Sequence, residues 1–333
     1  MKVLVTGGTG LVGSHIIERL VRRGDQVVAP VRSERGRALV ESLGAQSALG
    51  AVEDERTWDL AEDVGAIVHA AAIVVQSAPW ERYRAVNVDS VRMAVDAAAR
   101  VGARLVHISS VAVYGRGVDL APGETISEDL PFRPIADADF YARSKRLAEE
   151  TLWDAARQRG VSAVALRPCV IYGERERIFM ARVMRVLRTG LVPVVGSGDN
   201  HLSVVYAGNV AEAVLAALDH TEVQGPFNTT NDGGITQREF FETIAAATGR
   251  RLRFVRLPMA VALAAGYAWH WWRRITQPGR YAGIGGSGAR FLRRENPFSS
   301  ARAEGELGWR PGTAPREAVR RTAEWFVAER SAT

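Results

Sequence analysis

Met1-Lys2-Val3-Leu4-Val5-Thr6-Gly7-Gly8-Thr9-Gly10-Leu11-Val12-Gly13 is the stretch whose reading decides the fold. Val3 to Val5 is apolar and rich in β-branched residues, which predicts a buried strand. Gly7, Gly10 and Gly13 follow at a spacing of three, and an apolar helical period then runs from Leu11 to Val21. A strand that ends in glycines and opens a helix is a phosphate cradle. The first glycine permits the tight turn, the second lets backbone approach a pyrophosphate, and the third lets helix pack on strand. Free N–H groups and the positive dipole end of the helix complete the cradle.

Outward from this stretch, strands and helices alternate. Gln26 to Ser33 reads as the second strand and its exit, Ala66 to Ala72 as a fourth strand running into small residues, Val88 to Val101 as a helix behind Asn87, and Leu105 to Ser110 as a strand ending in two hydroxyls. Gly117 to Asp139 reads as a long loop, Tyr141 to Arg157 as a helix, and Ala163 to Arg167 as a buried strand stopped by Pro168. This rhythm predicts an α/β, Rossmann-type doubly wound parallel sheet. Beyond Gly173 the rhythm changes. The expected division is a cofactor-binding domain over 1–175, with 203–228 returning to it, and a smaller α+β substrate domain over 176–202 and 229–333.

The chemistry concentrates at Ser110, Tyr141 and Lys145. Tyr141 and Lys145 are four apart and share a helical face. A phenol titrates near ~10 and is a poor base at neutral pH; an ammonium one turn away is expected to lower that value. Tyr141 then passes a proton to or from a substrate oxygen, Ser110 hydrogen-bonds that oxygen, and Lys145 also reaches the nicotinamide ribose of a cofactor that carries the hydride. Of 43 basic residues only Lys2 and Lys145 are lysines. An internal lysine in so arginine-rich a chain marks a place where a planar guanidinium will not serve.

At the exit of the second strand, NAD-binding sheets usually carry an acid for the ribose 2′-hydroxyl. Arg32 stands there, and an arginine suits a 2′-phosphate. NADP is therefore the expected cofactor, with NAD as the alternative.

Taken together, Thr6 to Gly13, His69-Ala70-Ala71-Ala72, Asn87, Ser109 to Gly115, Tyr141-Ala142-Arg143-Ser144-Lys145, Leu166-Arg167-Pro168 through Tyr172-Gly173 and Leu307 to Pro311 resemble the extended short-chain dehydrogenases/reductases of the epimerase/dehydratase superfamily. The resemblance leans to the 3β-hydroxysteroid dehydrogenase and dihydroflavonol reductase-like branch. It implies that Tyr141 is the catalytic acid/base, Lys145 its partner and Ser110 the oxygen-positioning hydroxyl. It also implies cofactor contacts from Gly7, Thr9, Gly10, Leu11, Val12, Ala70, Ala71, Ala72, Asn87, Ser109, Pro168 and Val170. The Gly-Asp pair that many relatives carry after the third strand is missing, since Ala51 follows Gly50; Asp54 is the substitute candidate near the adenine.

Two reactions compete: interconversion of a hydrophobic secondary alcohol and ketone, and epimerisation or dehydration of nucleotide sugars. A non-catalytic cofactor sensor is a third reading, against which the intact Ser110, Tyr141 and Lys145 stand. Nucleotide-sugar relatives often place glutamine and arginine after a turn like Gly196-Ser197-Gly198; here the positions hold Asn200 and Leu202. Leucine offers a diphosphate no charge-assisted bond, and an unpaired buried dianion is costly. Asn209-Val210-Ala211-Glu212-Ala213 also resembles the hydroxysteroid branch. The expected substrate is hydrophobic and free of nucleotide, although Arg273 or Arg274 offers a diphosphate another approach.

Composition narrows the rest. The chain of 333 residues carries a formal charge of +6 and a single cysteine, Cys169, so no internal disulfide forms and a reducing, cytoplasmic setting is expected, with no leader ahead of the first strand. No metal site and no nucleic-acid-binding motif are found. The charge gathers towards the C-terminal third, at Arg250, Arg251, Arg253, Arg256, Arg273, Arg274, Arg290, Arg293 and Arg294. Pro258 to Trp272 is nearly all apolar, too short to span a bilayer, and reads as a core helix, a lid or a membrane-surface contact. Gly279 to Gly288 is expected to be mobile. Homodimer formation is left open.

Overall fold

The computed structural model describes residues 1–74, 78–115, 124–187, 190–230, 232–276 and 295–331. Its strands are β1 (Lys2–Thr6), β2 (Gln26–Val31), β3 (Gln46–Leu49), β4 (Ala66–His69), β5 (Arg104–Ile108), β6 (Ala163–Pro168), β7 (Val170–Tyr172), β8 (Leu191–Val195), β9 (Val204–Tyr206), β10 (Gly225–Thr229) and β11 (Arg253–Leu257). Seven of them form one parallel sheet in the order β10-β6-β5-β4-β1-β2-β3. The order reverses between β1 and β4, and that switch point is where open α/β sheets take their ligands.

Around the sheet run α1 (Leu11–Arg23), α2 (Glu34–Ser42), α3 (Trp80–Arg84), α4 (Ser90–Val101), α5 (Phe140–Arg159), α6 (Phe179–Leu187) and α7 (Ala207–Asp219). Successive side chains point opposite ways, and helices cover both faces, so the central strands are buried on both sides while edge strand β3 is not. Val3 and Val5 enter a layer with Ile16, Ile17 and Leu20 of α1 and Val214 and Ala217 of α7. Leu4 enters the other, with Val91 and Val95 of α4 and Leu152 of α5. A third apolar cluster lies apart from both. It joins Tyr172, Met180, Leu187, Val192, Val194, Leu202 and Tyr206 to Phe240 and Ile244 of α8 (Gln237–Ala247). The remaining helices are α9 (Met259–Thr276), α10 (Ala301–Glu306) and α11 (Pro315–Ser331), the last supplying Val319 and Ala323 to that cluster.

Local signals explain most boundaries. Asp139 caps α5 by accepting from Ala142 N at 3.3 Å, and Gly160 stops it in the left-handed region. A capping box of Thr236 and Glu239 starts α8.

Three elements differ from the sequence expectation. The strand expected over Ala66 to Ala72 ends at His69, because Ala71 N donates to the Thr6 hydroxyl and not to a ladder partner. The helix expected from Val88 begins as α3, right after Pro79, and passes through a π-turn (Ala85–Asp89) that holds Asn87. Pro258 to Trp272 falls mainly in α9, which is exposed along most of its length, so the core-helix reading does not hold. The glycine-rich stretch 279–288, part of the 117–139 loop, and Arg290, Arg293 and Arg294 lie outside the described residues, as do the side chains of Arg273 and Arg274. Among the described residues, no helix is long and apolar enough to cross a membrane.

Candidate active site

Because every strand of the main sheet is parallel, the candidate cofactor residues that follow its strands come to its C-terminal edge. Gly7 to Val12 follow β1, Arg32 follows β2, Asp54 follows β3, Ala70 to Ala72 follow β4, and Ser109 and Ser110 follow β5. Pro168 ends β6, and Val170 opens β7.

The glycine loop is built for close approach. Gly7 has φ +71°, and a Cβ there would lie 2.7 Å from Ala71 N, so the loop is pressed onto the exit of β4. A Cβ on Gly13 would lie 2.2 Å from Gly7 O, which leaves no room for any side chain where α1 crosses β1. Gly10 precedes α1 without a side-chain cap, and the first turn holds no acid. The N–H groups of that turn thus remain available to an anion. A cradle that a Cβ would fill, above an uncapped helix start, fits the pyrophosphate of a dinucleotide.

Ser110, Tyr141 and Lys145 converge across the switch from β5 to α5. Ser110 is buried, caps the short 3-10 turn Val111–Tyr114 and hydrogen-bonds Tyr141. Burial raises the Tyr141 phenol above its ordinary value; the Ser110 bond works the other way, and Asp139 adds to the rise. The net direction is opposite to the sequence expectation. One turn along α5, Lys145 Nζ donates to Ile108 O at 2.7 Å, and burial holds its ammonium down to about 8, against the pull of Glu149. The lysine is thus anchored to the end of β5.

The surroundings of Lys145 are a polar network that the sequence reading did not single out. Glu149 pairs with Arg167 at 2.6 Å, both fully buried, and accepts from the Ser109 hydroxyl. Arg167 also donates to Tyr114 Oη at 2.9 Å, and that hydroxyl donates to Asn228 at 2.8 Å. The signal was present: Tyr141, Lys145 and Glu149 recur every four residues on one helix face.

On the other side of the lysine, His69 shares Nδ1 with Thr6 Oγ1 at 2.7 Å and Nε2 with Ser90 Oγ at 3.0 Å. Ser90 donates onward to Val86 O, so His69 carries its proton on Nε2 and accepts at Nδ1. Burial, reinforced by Lys145, holds His69 down to about 3, so it is neutral. His107 stacks on it at 5.5 Å and is likewise neutral.

Asn87 ties the pieces together. Its amide exchanges bonds with Ile73 N and O at 2.7 and 3.1 Å and donates to Ser144 Oγ at 2.9 Å, beside Lys145.

Two candidates sit less centrally. Arg32 is exposed, and no described residue pairs with it. Asp54 caps the 3-10 helix Glu55–Ala61 through Arg56 N at 3.1 Å, so its carboxylate already has a structural task. Among the described residues no cluster of His, Cys, Asp or Glu could hold a metal ion.

Comparison with known proteins now bears on this geometry. Residues 3–231 match the model of the NAD dependent epimerase/dehydratase family. The chain belongs to that family. Its members are enzymes, and the epimerase/dehydratase fold accounts for the sheet order and the glycine cradle alike. The chain is 30% identical over 315 residues to a 4-hydroxy-2-methyl-3-oxo-4-farnesyl-3,4-dihydroquinoline-1-oxide ketoreductase of Stigmatella aurantiaca, covering 93% of this chain and 92% of that one. It is 28% identical over 329 residues to a 3-beta-hydroxysteroid dehydrogenase of Mycolicibacterium neoaurum, covering 93% and 87%. Among solved structures it resembles the UDP-glucose 4-epimerase of Thermus thermophilus in complex with NAD. The TM-score is 0.72 and the identity 26%, with 98% and 99% of the two chains covered.

Proposed function

We propose that this member of the family is an NADP(H)-preferring oxidoreductase that interconverts a hydrophobic secondary alcohol and its ketone. The observation that carries the reading is the meeting of Ser110, Tyr141 and Lys145 beside the glycine cradle. When bound, the nicotinamide supplies or takes the hydride. Tyr141 Oη gives its proton to the carbonyl oxygen on reduction and takes it back from the hydroxyl on oxidation. Ser110 Oγ donates to the same oxygen and fixes its place. A phenol held protonated by burial is poised as the acid of the reducing direction. Lys145, anchored on Ile108 O, keeps a positive charge below about pH 8 near the ribose position. Gly7, Thr9, Gly10, Leu11 and Val12 take the pyrophosphate side, with Ala70 to Ala72, Asn87, Ser109, Pro168 and Val170 around the rest of the cofactor. Arg32 takes the 2′-phosphate.

Substrate recognition is assigned to segments 176–202 and 229–333. Leu202, which replaces the arginine common in nucleotide-sugar enzymes, is buried in the third apolar cluster and faces no anion. The ketoreductase and hydroxysteroid dehydrogenase relatives support the same choice. The likeness to UDP-glucose 4-epimerase keeps nucleotide-sugar epimerisation as the second reading. Titration calorimetry with UDP on the NADPH-loaded protein separates the two. No saturable heat is expected; tight, saturable binding overturns the alcohol–ketone assignment. A panel of sterol, isoprenoid and alkyl ketones with NADPH then identifies the substrate.

A further inference from the structure

From Thr243 to Arg294 the sequence contains no aspartate and no glutamate. Several surface arginines elsewhere sit beside acids: Arg320 with Glu317 and Glu324, Arg302 with Glu306, Arg23 with Asp25 and Asp219. Within the acid-free stretch, Arg250, Arg251, Arg253 and Arg256 are exposed and pair with no described acid. Here the chain accumulates positive charge and supplies nothing to balance it.

The same stretch carries α9. Its partly covered positions, Leu263 and Gly266, lie on one side of the helix. The opposite side presents Val261, Ala264, Ala268, Trp271, Trp272 and Ile275, with Trp271 62% and Ile275 70% exposed. Val255 on β11 adds a further exposed apolar side chain at 41%. An outward face that is apolar up to Thr276 at its end, on a surface helix about 27 Å long, is the reverse of the usual surface pattern, in which polar residues face out. The tryptophans gather at the end that runs into Arg273-Arg274.

We propose that α9 and β11 form a docking surface for an anionic lipid bilayer. The helix lies in the interfacial plane with its outward face among the acyl chains, and the tryptophans sit at headgroup level, where amphipathic rings partition. Unpaired Arg253, on the strand face of Val255, meets lipid phosphates. Charge decides between this occupant and a second copy of the chain. Two copies meeting through this face would oppose two acid-free, arginine-rich surfaces, which repel; an anionic leaflet attracts them. The helix is not a bilayer span, since no described helix is long and apolar enough to cross. The inference does not depend on the substrate assignment.

Vesicle flotation of the full chain tests it, with phosphatidylcholine vesicles compared against phosphatidylcholine doped with phosphatidylglycerol. The wild-type protein is expected to float with the anionic vesicles, to release at high salt, and to show a blue shift of tryptophan emission on binding. Arg253→Gln, on the same strand face as Val255, should weaken anionic binding roughly fivefold while leaving the melting temperature and NADPH affinity unchanged. Trp271→Glu combined with Ile275→Glu should abolish flotation. Failure of the wild-type protein to float with anionic vesicles overturns the proposal, and so does a folded Trp271→Glu/Ile275→Glu protein that floats like wild type. A concentration-dependent dimer in sedimentation that the same pair abolishes also overturns it, by assigning the face to a second copy. Should the double variant melt early, the Arg253→Gln variant and the wild-type emission shift still decide.

Discussion

The edge of the main sheet and the β11–α9 arm solve opposite problems. At the sheet edge, most buried polar side chains find partners inside the molecule, Lys145 on Ile108 O, Glu149 on Arg167 and Ser109, Asn87 on Ile73 and Ser144, while both ring nitrogens of His107 have none among the described residues. Along β11 and α9, apolar side chains are exposed, and among the described residues Arg250, Arg251, Arg253 and Arg256 pair with no acid. A region whose groups are satisfied internally announces its structure. A region whose groups are unsatisfied announces a partner.

The sharpest way to break this contrast is Tyr141→Phe. Loss of the proton relay is expected to lower turnover by ~10²–10⁴-fold, with NADPH affinity within a factor of about three; stopped-flow hydride transfer and fluorescence titration measure both. Turnover near wild type would remove Tyr141 from the chemistry. Next comes Glu149→Gln, which strands the Arg167 guanidinium. Breaking one partner of a buried pair costs about 3–5 kcal/mol, read by urea unfolding. In the arm, Ile275→Ser should stay within about 0.5 kcal/mol. Equal effects at the two positions would erase the distinction between them.

A smaller effect follows from His69. Its folded value of about 3 lies below its ordinary 6.5, so below pH 6.5 the unfolded chain binds a proton that the folded one refuses. Stability from this site is present above pH 6.5 and is lost as pH falls towards 3. Between pH 6.5 and 5 the site removes about 2 kcal/mol. His69→Gln should flatten the stability profile by that amount over the same window, and an unchanged slope would assign the acid sensitivity elsewhere. Smallest is Arg32→Ala. Removing a charge-assisted donor from an exposed site should weaken NADPH about tenfold and NADH hardly at all. Equal loss for both cofactors would mark Arg32 as a bystander.

The same contrast explains what the sequence made legible. Val3-Leu4-Val5 alternates between two core layers, and the glycines that follow have geometric reasons to be glycine, so sheet, switch point and cradle could be read directly. Tyr141 and Lys145 were readable because helical spacing fixes their face. The Tyr141 titration was not, because its direction is set by burial, which only the folded structure shows. The Glu149–Arg167 pair was half-legible: the helix spacing shows Glu149, but only the sheet brings Arg167 to it. For α9 the pattern showed an apolar helix and could not say which side was covered, since that depends on what lies beside it in space.

The π-turn at Ala85–Asp89 has a consequence for how the chain tolerates change. It slips one extra residue into an otherwise continuous helical run, so the segments on either side are out of phase with each other. Tyr83 ahead of it and Val91 and Val95 behind it are nevertheless all buried, and Asn87 sits where the two phases meet. Removing a single residue between 80 and 95 would restore an uninterrupted helix and still be destructive. One set of anchors would rotate off its core, and Asn87 would lose either Ile73 or Ser144. In that stretch the molecule counts residues as well as reading them.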